Sequence, residues 1–123
     1  MIKKISLSGI WVSDQDKSIE FFVDKLGFEL QEDVIFGNYR WVEVIPPGAE
    51  TGIPLAKAYP GQEVEVGGFT NIVFSTDDIK ATFEEMESKG VIFMEEPAEQ
   101  EWGMMQAMFK DIDDNIFLLV ERD

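Results

Sequence analysis

The stretch Val12-Ser13-Asp14-Gln15-Asp16-Lys17-Ser18-Ile19-Glu20-Phe21-Phe22-Val23-Asp24-Lys25-Leu26-Gly27-Phe28 decides the fold. Val12 closes an apolar run, and Ser13 and Asp14 offer N-cap chemistry for a helix. Ile19, Phe22, Val23 and Leu26 then follow the i, i+3, i+4, i+7 spacing of one buried stripe. Gly27 ends the helix in a left-handed cap and Phe28 opens a strand. The same order returns 64 residues later. Asp14 falls on Asp78, Ile19 on Phe83, Phe22 on Met86, Lys25 on Lys89, Phe28 on Ile92 and Leu30 on Met94. Val44 falls on Met108 and Ile45 on Phe109. Any α+β chain offers some self-match, but a register this long without gaps reads as a duplicated pair of βαβββ units. A site is then expected in the groove between them.

Outward from that helix, the first module reads as a strand over 4–12, the helix to residue 26, and strands over 28–32, 39–45 and 53–58. Pro46-Pro47-Gly48 forms a turn. Residues 58–68 look like a linker. The second module reads as a strand over 69–75 and a helix capped at Asp77-Asp78, with Ile79, Phe83 and Met86 buried and Gly90 at its end. Strands over 91–94, 104–110 and 116–121 follow. Residues 95–103 form an acidic loop carrying Trp102, and Asp111-Ile112-Asp113-Asp114-Asn115 has the composition of a tight hairpin. The modules span about 1–60 and 65–123 of one domain.

Composition sets the chemical limits. The 123 residues are one domain's worth, and 45% apolar content with ten Phe can build a core. No apolar run approaches the ~18–20 residues of a membrane span, and no signal-peptide pattern opens the chain. Without Cys there are no disulfides, thiol nucleophiles or thiolate metal sites. Without His the commonest metal ligand and neutral-pH general base are gone. A net charge of −15 disfavours nucleic acid and anionic membrane, so a soluble cytoplasmic protein is expected.

Val12-Ser13-Asp14 through Ser18, Phe21-Phe22, Leu26-Gly27-Phe28, Trp102-Gly103 and the hairpin from Asp111 to Asn115 resemble the vicinal oxygen chelate superfamily. That family holds glyoxalase I, extradiol dioxygenases, and bleomycin and fosfomycin resistance proteins. The family's usual hairpin is Asp-Pro-Asp-Gly-Asn, and here Ile112 and Asp114 stand in place of Pro and Gly. The resemblance implies an α+β fold of two tandem βαβββ modules forming a cup-shaped sheet. It also implies where metal-using members place ligands: Leu7, Pro54, Asn71 and Leu118 occupy those positions here. The pairs Leu7/Asn71 and Pro54/Leu118 keep the 64-residue spacing. Leu and Pro cannot coordinate an ion, and a lone Asn carbonyl is a poor ligand for a catalytic divalent metal. No metal and no other cofactor is expected.

Other catalytic constellations fail as well. No Ser-His or Cys-His pair is possible, and Gly67-Gly68 lacks the Walker spacing and its Lys. Tyr39, Tyr59 and Lys57 are not marked out by their spacing. Glu43 beside Trp41 lines a pocket wall, faces solvent or pairs with Arg40.

With Leu7 facing inward, the period of two places Gly9 and Trp11 inward too. Ala56 joins Pro54, Val73 and Ser75 join Asn71, and Ile116 and Val120 join Leu118. Such a lining suits an apolar or aromatic ligand with a few polar anchors, or else simply fills the cup as core. Trp102 sits where a loop can fold over the mouth. The expected ligand-binding set is therefore Leu7, Gly9, Trp11, Trp41, Glu43, Pro54, Ala56, Asn71, Val73, Ser75, Trp102 and Leu118, with no catalytic residue. The expected function is a metal-free small-molecule-binding protein of the glyoxalase/bleomycin resistance type, holding an apolar, aromatic or cationic ligand. The alternatives are a glyoxalase-like lyase or dioxygenase with a non-standard site, and an interaction module with a filled cup. A homodimer is expected, joined through residues 2–8 or the helix edges.

Overall fold

A computed structural model describes residues 1–122. The chain separates into two compact units, Met1–Val66 and Gly67 onward. Each holds one four-stranded sheet with a helix against it, so the α+β pair of βαβββ modules is present.

In the first unit β1 (Ile10–Val12) leads to α1 (Gln15–Glu20), which continues as a π-helical turn over Phe21–Lys25. Then come β2 (Glu29–Phe36), β3 (Tyr39–Ile45) and β4 (Ile53–Lys57), in sheet order β1-β4-β3-β2. The expected strand over 4–12 is paired only in part. Leu7 bridges Gly52 and Ile10 pairs with Leu55 in one continuous register, but Pro54 lies between them with no N–H to give. Gly9 stands beside it because a Cβ there would lie 3.2 Å from the Pro54 carbonyl oxygen.

Asp14 caps α1 by accepting from Lys17 N at 3.0 Å. The buried stripe differs from the expected one. Gln15, Ser18 and Phe22 are buried with Phe21, whereas Ile19, Val23 and Leu26 are half-buried. The π turn, whose Leu26 N–H reaches Phe21 O, rotates Val23 and Leu26 off the simple helical spacing, and in the turn before it Gln15 is held inward by its bonds to β-strand carbonyls. Ile10, Val12, Val42, Val44, Ile53 and Leu55 form the core of this unit with Phe21 and Phe22.

Strands β3 and β4 pair only at Glu43–Pro54 and Val44–Ile53, then diverge. The Gln15 side chain fills the split: its Nε2 donates to Leu55 O at 2.8 Å and Arg40 O at 3.0 Å. A side-chain amide there does the work of a missing ladder rung.

The second unit runs β5 (Gly68–Thr76), α2 (Ile79–Ser88), β6 (Ile92–Glu99), β7 (Met105–Lys110) and β8 (Asn115–Glu121), in order β5-β8-β7-β6. Asp78 caps α2 through Ala81 N at 3.0 Å, the counterpart of Asp14. Ile79 and Met86 are buried, and Phe83 meets Phe93 edge to face at 4.7 Å. Phe74, Phe93, Phe109 and Phe117 stack into the core. Strand β6 extends to Glu99, through much of the expected acidic loop, because an exposed edge strand tolerates Glu95, Glu96 and Pro97.

The internal repeat slips locally. Buried Ile53 and Phe117 keep the 64-residue offset, but their partners Val44 and Phe109 are 65 apart. The helix-ending Gly27 and Gly90 are 63 apart, since the π turn places one more residue in the first helix. Val44 therefore matches Phe109 in role, not Met108.

Candidate functional site

Each sheet has one face covered by its helix and one face turned away from it. In the first unit the pairings Trp11–Ala56 and Glu43–Pro54, with the Leu7–Gly52 bridge, put Leu7, Gly9, Trp11, Trp41, Glu43, Pro54 and Ala56 on the helix-free face. Seven expected site residues thus share one surface. Pro54 is buried, Leu7 is exposed, and Trp11 and Trp41 are half-buried. Trp11 meets Tyr59 edge-on at 6.4 Å, and Trp41 meets Tyr39 at 6.4 Å. Strand β2 adds Glu32, Val34 and Phe36 to this face, opposite Glu43, Trp41 and Tyr39. Glu32 ends the expected strand over 28–32, and Val34 and Phe36 lie beyond it in residues with no expected element.

Glu43 does not pair with Arg40 and does not face solvent. It is only 8% exposed, and its Oε1 accepts from Trp41 Nε1 at 3.3 Å. Arg40 points to the opposite face, where Nε meets Asp33 Oδ1 and Nη1 meets Asp16 Oδ1, both at 2.9 Å. The two carboxylates hold the guanidinium pKa above its usual value, and Arg40 holds the Asp33 carboxyl below the usual range.

In the second unit Val73, Ser75, Ile116, Leu118 and Val120 lie on the helix-free face with Gln106, Met108 and Lys110. The last three were not anticipated, although the alternation Gln106, Met108, Lys110 against buried Ala107 and Phe109 carries the signal. Val120 is buried there at 4% exposure. Asn71 departs from the simple alternation. Three β5 residues between Phe69 and Val73 stand against one on β8, and Asn71 sits in that bulge with φ of 64°. Trp102 is 61% exposed in a turn that Gly103 N closes onto Gln100 O at 2.8 Å. A separate shallow cleft in the first unit is lined by Ser13, Lys57, Ala58, Pro60, Glu63 and Val66, none of them an expected site residue.

The hairpin from Asp111 to Asn115 is clamped from inside. Asp111 Oδ1 accepts from Asp113 N and Asn115 N at 2.9 Å, and Oδ2 accepts from Asn115 Nδ2 at 2.9 Å. Burial pushes the Asp111 carboxyl up against the pull of those donors. Asn115 Oδ1 in turn accepts from Gly67 N at 3.0 Å. Gly67, at φ of 92°, has no room for a Cβ, which would lie 2.9 Å from Asp113 O.

The residues present do not fit a catalytic metal. The implied positions hold Leu7, Pro54, Asn71 and Leu118, and among the described residues no three His, Cys, Asp or Glu side chains converge to hold an ion. No helix among them is long and apolar enough to cross a membrane.

Two sheets built from repeated βαβββ units, with the cap-helix-Gly pattern in each, define a glyoxalase-type architecture. Residues 4–119 match the family model "Glyoxalase/Bleomycin resistance protein/Dioxygenase superfamily", and the chain belongs to that family. The Bacillus subtilis (strain 168) protein YetH is 39% identical, covering 98% of this chain and 100% of its own length. A superfamily member from Sphaerobacter thermophilus DSM 20745 shares 36% identity and a TM-score of 0.88, covering 98% of each chain. TnmS3, described as an antibiotic binding protein from Streptomyces sp. CB03234, shares 32% identity and a TM-score of 0.85 over 99% of this chain and 98% of its own. The family holds enzymes and binding proteins alike.

Proposed function

We propose that this chain is a metal-free small-molecule-binding protein of the bleomycin resistance type, acting in the cytoplasm on an apolar, aromatic or cationic ligand. The observation that carries the reading is the helix-free face of the first sheet. There Leu7 and Pro54 stand where a metal-using relative would need ligands, and Trp11 and Trp41 flank them. A surface rich in aromatic side chains recognises by stacking and apolar contact, not by coordination. The likeness to an antibiotic binding protein points the same way.

A saturable quench of Trp emission by planar aromatic or cationic compounds is the expected result. Trp11→Ala should weaken that binding by about 1–3 kcal/mol, the range for a buried aromatic anchor. Elemental analysis after dialysis should find no stoichiometric Zn, Ni, Mn or Fe. One equivalent of any of them, or a Trp11→Ala variant that loses only stability, would sink the reading.

The protein is also proposed to act as a homodimer. Ile2, Ile5 and Leu7 leave apolar surface exposed along the N-terminal segment at 96%, 71% and 44%. Sedimentation at physiological salt should give twice the 14.0 kDa chain mass, and a purely monomeric profile would exclude the dimer.

A further inference from the structure

We infer that Glu43 is the specificity-determining acceptor of this site, selecting an organic cation that carries N–H donors on an apolar body: an amidinium, guanidinium or alkylammonium. The inference rests on the binding function proposed above and names its ligand class.

A buried charge is ordinarily paired. Glu43 is 8% exposed, yet among the described residues its carboxylate accepts one hydrogen bond, the 3.3 Å contact from Trp41 Nε1 to Oε1, which leaves Oε2 open to a further donor. Among the described residues no Lys or Arg forms an ion pair with it, and Arg40 is engaged by Asp33 and Asp16 on the other face. The backbone also makes room for this carboxylate. A Cβ on Gly52 would lie 2.6 Å from Oε2, so a larger residue there would have to displace the end of this side chain. Directly opposite on β2, Glu32 shares the face, and among the described residues no Lys or Arg forms an ion pair with either, a like-charge pair that costs stability when left alone.

A buried carboxylate with a free oxygen, a second carboxylate across the strand and an indole beside them together fit a positively charged donor. A metal ion would require more hard donors than this surface brings together. An organic cation meets Oε2 with an N–H and lays its body on Trp41, adding cation–π attraction.

The test uses 2-naphthamidine, a cation at neutral pH, and 2-naphthamide, its neutral analogue of nearly equal size. Both are titrated against the full chain by Trp quenching and calorimetry. The amidine should bind about tenfold more tightly than the amide, as expected for a charge-assisted hydrogen bond. Glu43→Gln, which retains an acceptor for Trp41, should bring the two compounds within about twofold, chiefly by weakening the amidine. Glu32→Gln, on the exposed edge strand, should reduce the preference by a smaller factor and serves if Glu43→Gln does not fold. Equal binding of both compounds, or a preference that survives the Glu43→Gln and Glu32→Gln substitutions, overturns the role of Glu43 and leaves the binding function standing. If these two and a wider aromatic panel all fail to quench, the binding function falls and the inference falls with it.

Discussion

Asn115→Leu should destabilise the protein by about 3–4 kcal/mol, the cost of stripping partners from buried polar groups, one of them charged. Leucine nearly conserves the volume, so packing changes little. What disappears is the Nδ2 donor to Asp111 Oδ2 and the Oδ1 acceptor of Gly67 N, in a side chain 2% exposed. The loss should depend on pH. Burial already raises the Asp111 carboxyl, and removing the Asn115 donor raises it further. An acid whose native pKa exceeds its unfolded value binds its proton more readily when folded. Acidification through that pKa therefore favours the native state. The deficit of the variant should be greatest at neutral pH and narrow as pH falls through the raised Asp111 pKa. Asp33 behaves oppositely: its contribution is present above the unfolded carboxyl pKa and is lost as pH falls through its lowered native value. Denaturant unfolding of both proteins at several pH values reads the difference. A deficit that stays constant with pH would mean that the Asp111 carboxylate is not its source.

Gln15→Leu should cost about 2–3 kcal/mol, because a buried and a half-buried backbone carbonyl lose their donor at once. Leu55 O and Arg40 O face the gap where β3 and β4 part, and Nε2 is the donor that reaches both. Gln15→Glu should be worse at neutral pH, since it sets a carboxylate against those carbonyl oxygens. Urea unfolding with the slope compared across the series is the measurement. A leucine variant as stable as the wild type would show that the split closes or is solvated without help.

The parts of the fold set by local chemistry were legible in the sequence. Asp14 and Asp78 cap their helices through their own backbone neighbours, and the Gly residues after each helix take positive φ. Strand ends were not legible, because they depend on who sits alongside. Residues 95–99 read as loop and residues 33–36 carried no assignment, yet they extend β6 and β2 as exposed edges. The period of two placed the first-sheet site residues on one face. It failed at Asn71, where a bulge interrupts the count without a Gly or Pro to announce it. The burial of Glu43 was also hidden, since it depends on Gly52 lying across a strand pair that no local pattern specifies. Gln15 holds two strands, and nothing in its spacing along the helix announces it.

Asp114 sits at φ of 62°, a conformation in which any side chain is disfavoured relative to glycine. Its carboxylate gains only a 3.0 Å, largely exposed contact with Lys110. The turn is therefore not at its local optimum, and a single-residue change to glycine would raise the stability of the whole unit. For laboratory evolution this is a favourable starting point. A library built on Asp114→Gly could tolerate disruptive changes around Trp41 and Glu43 that the parent chain would lose to unfolding, so new ligand preferences become reachable by shorter mutational routes.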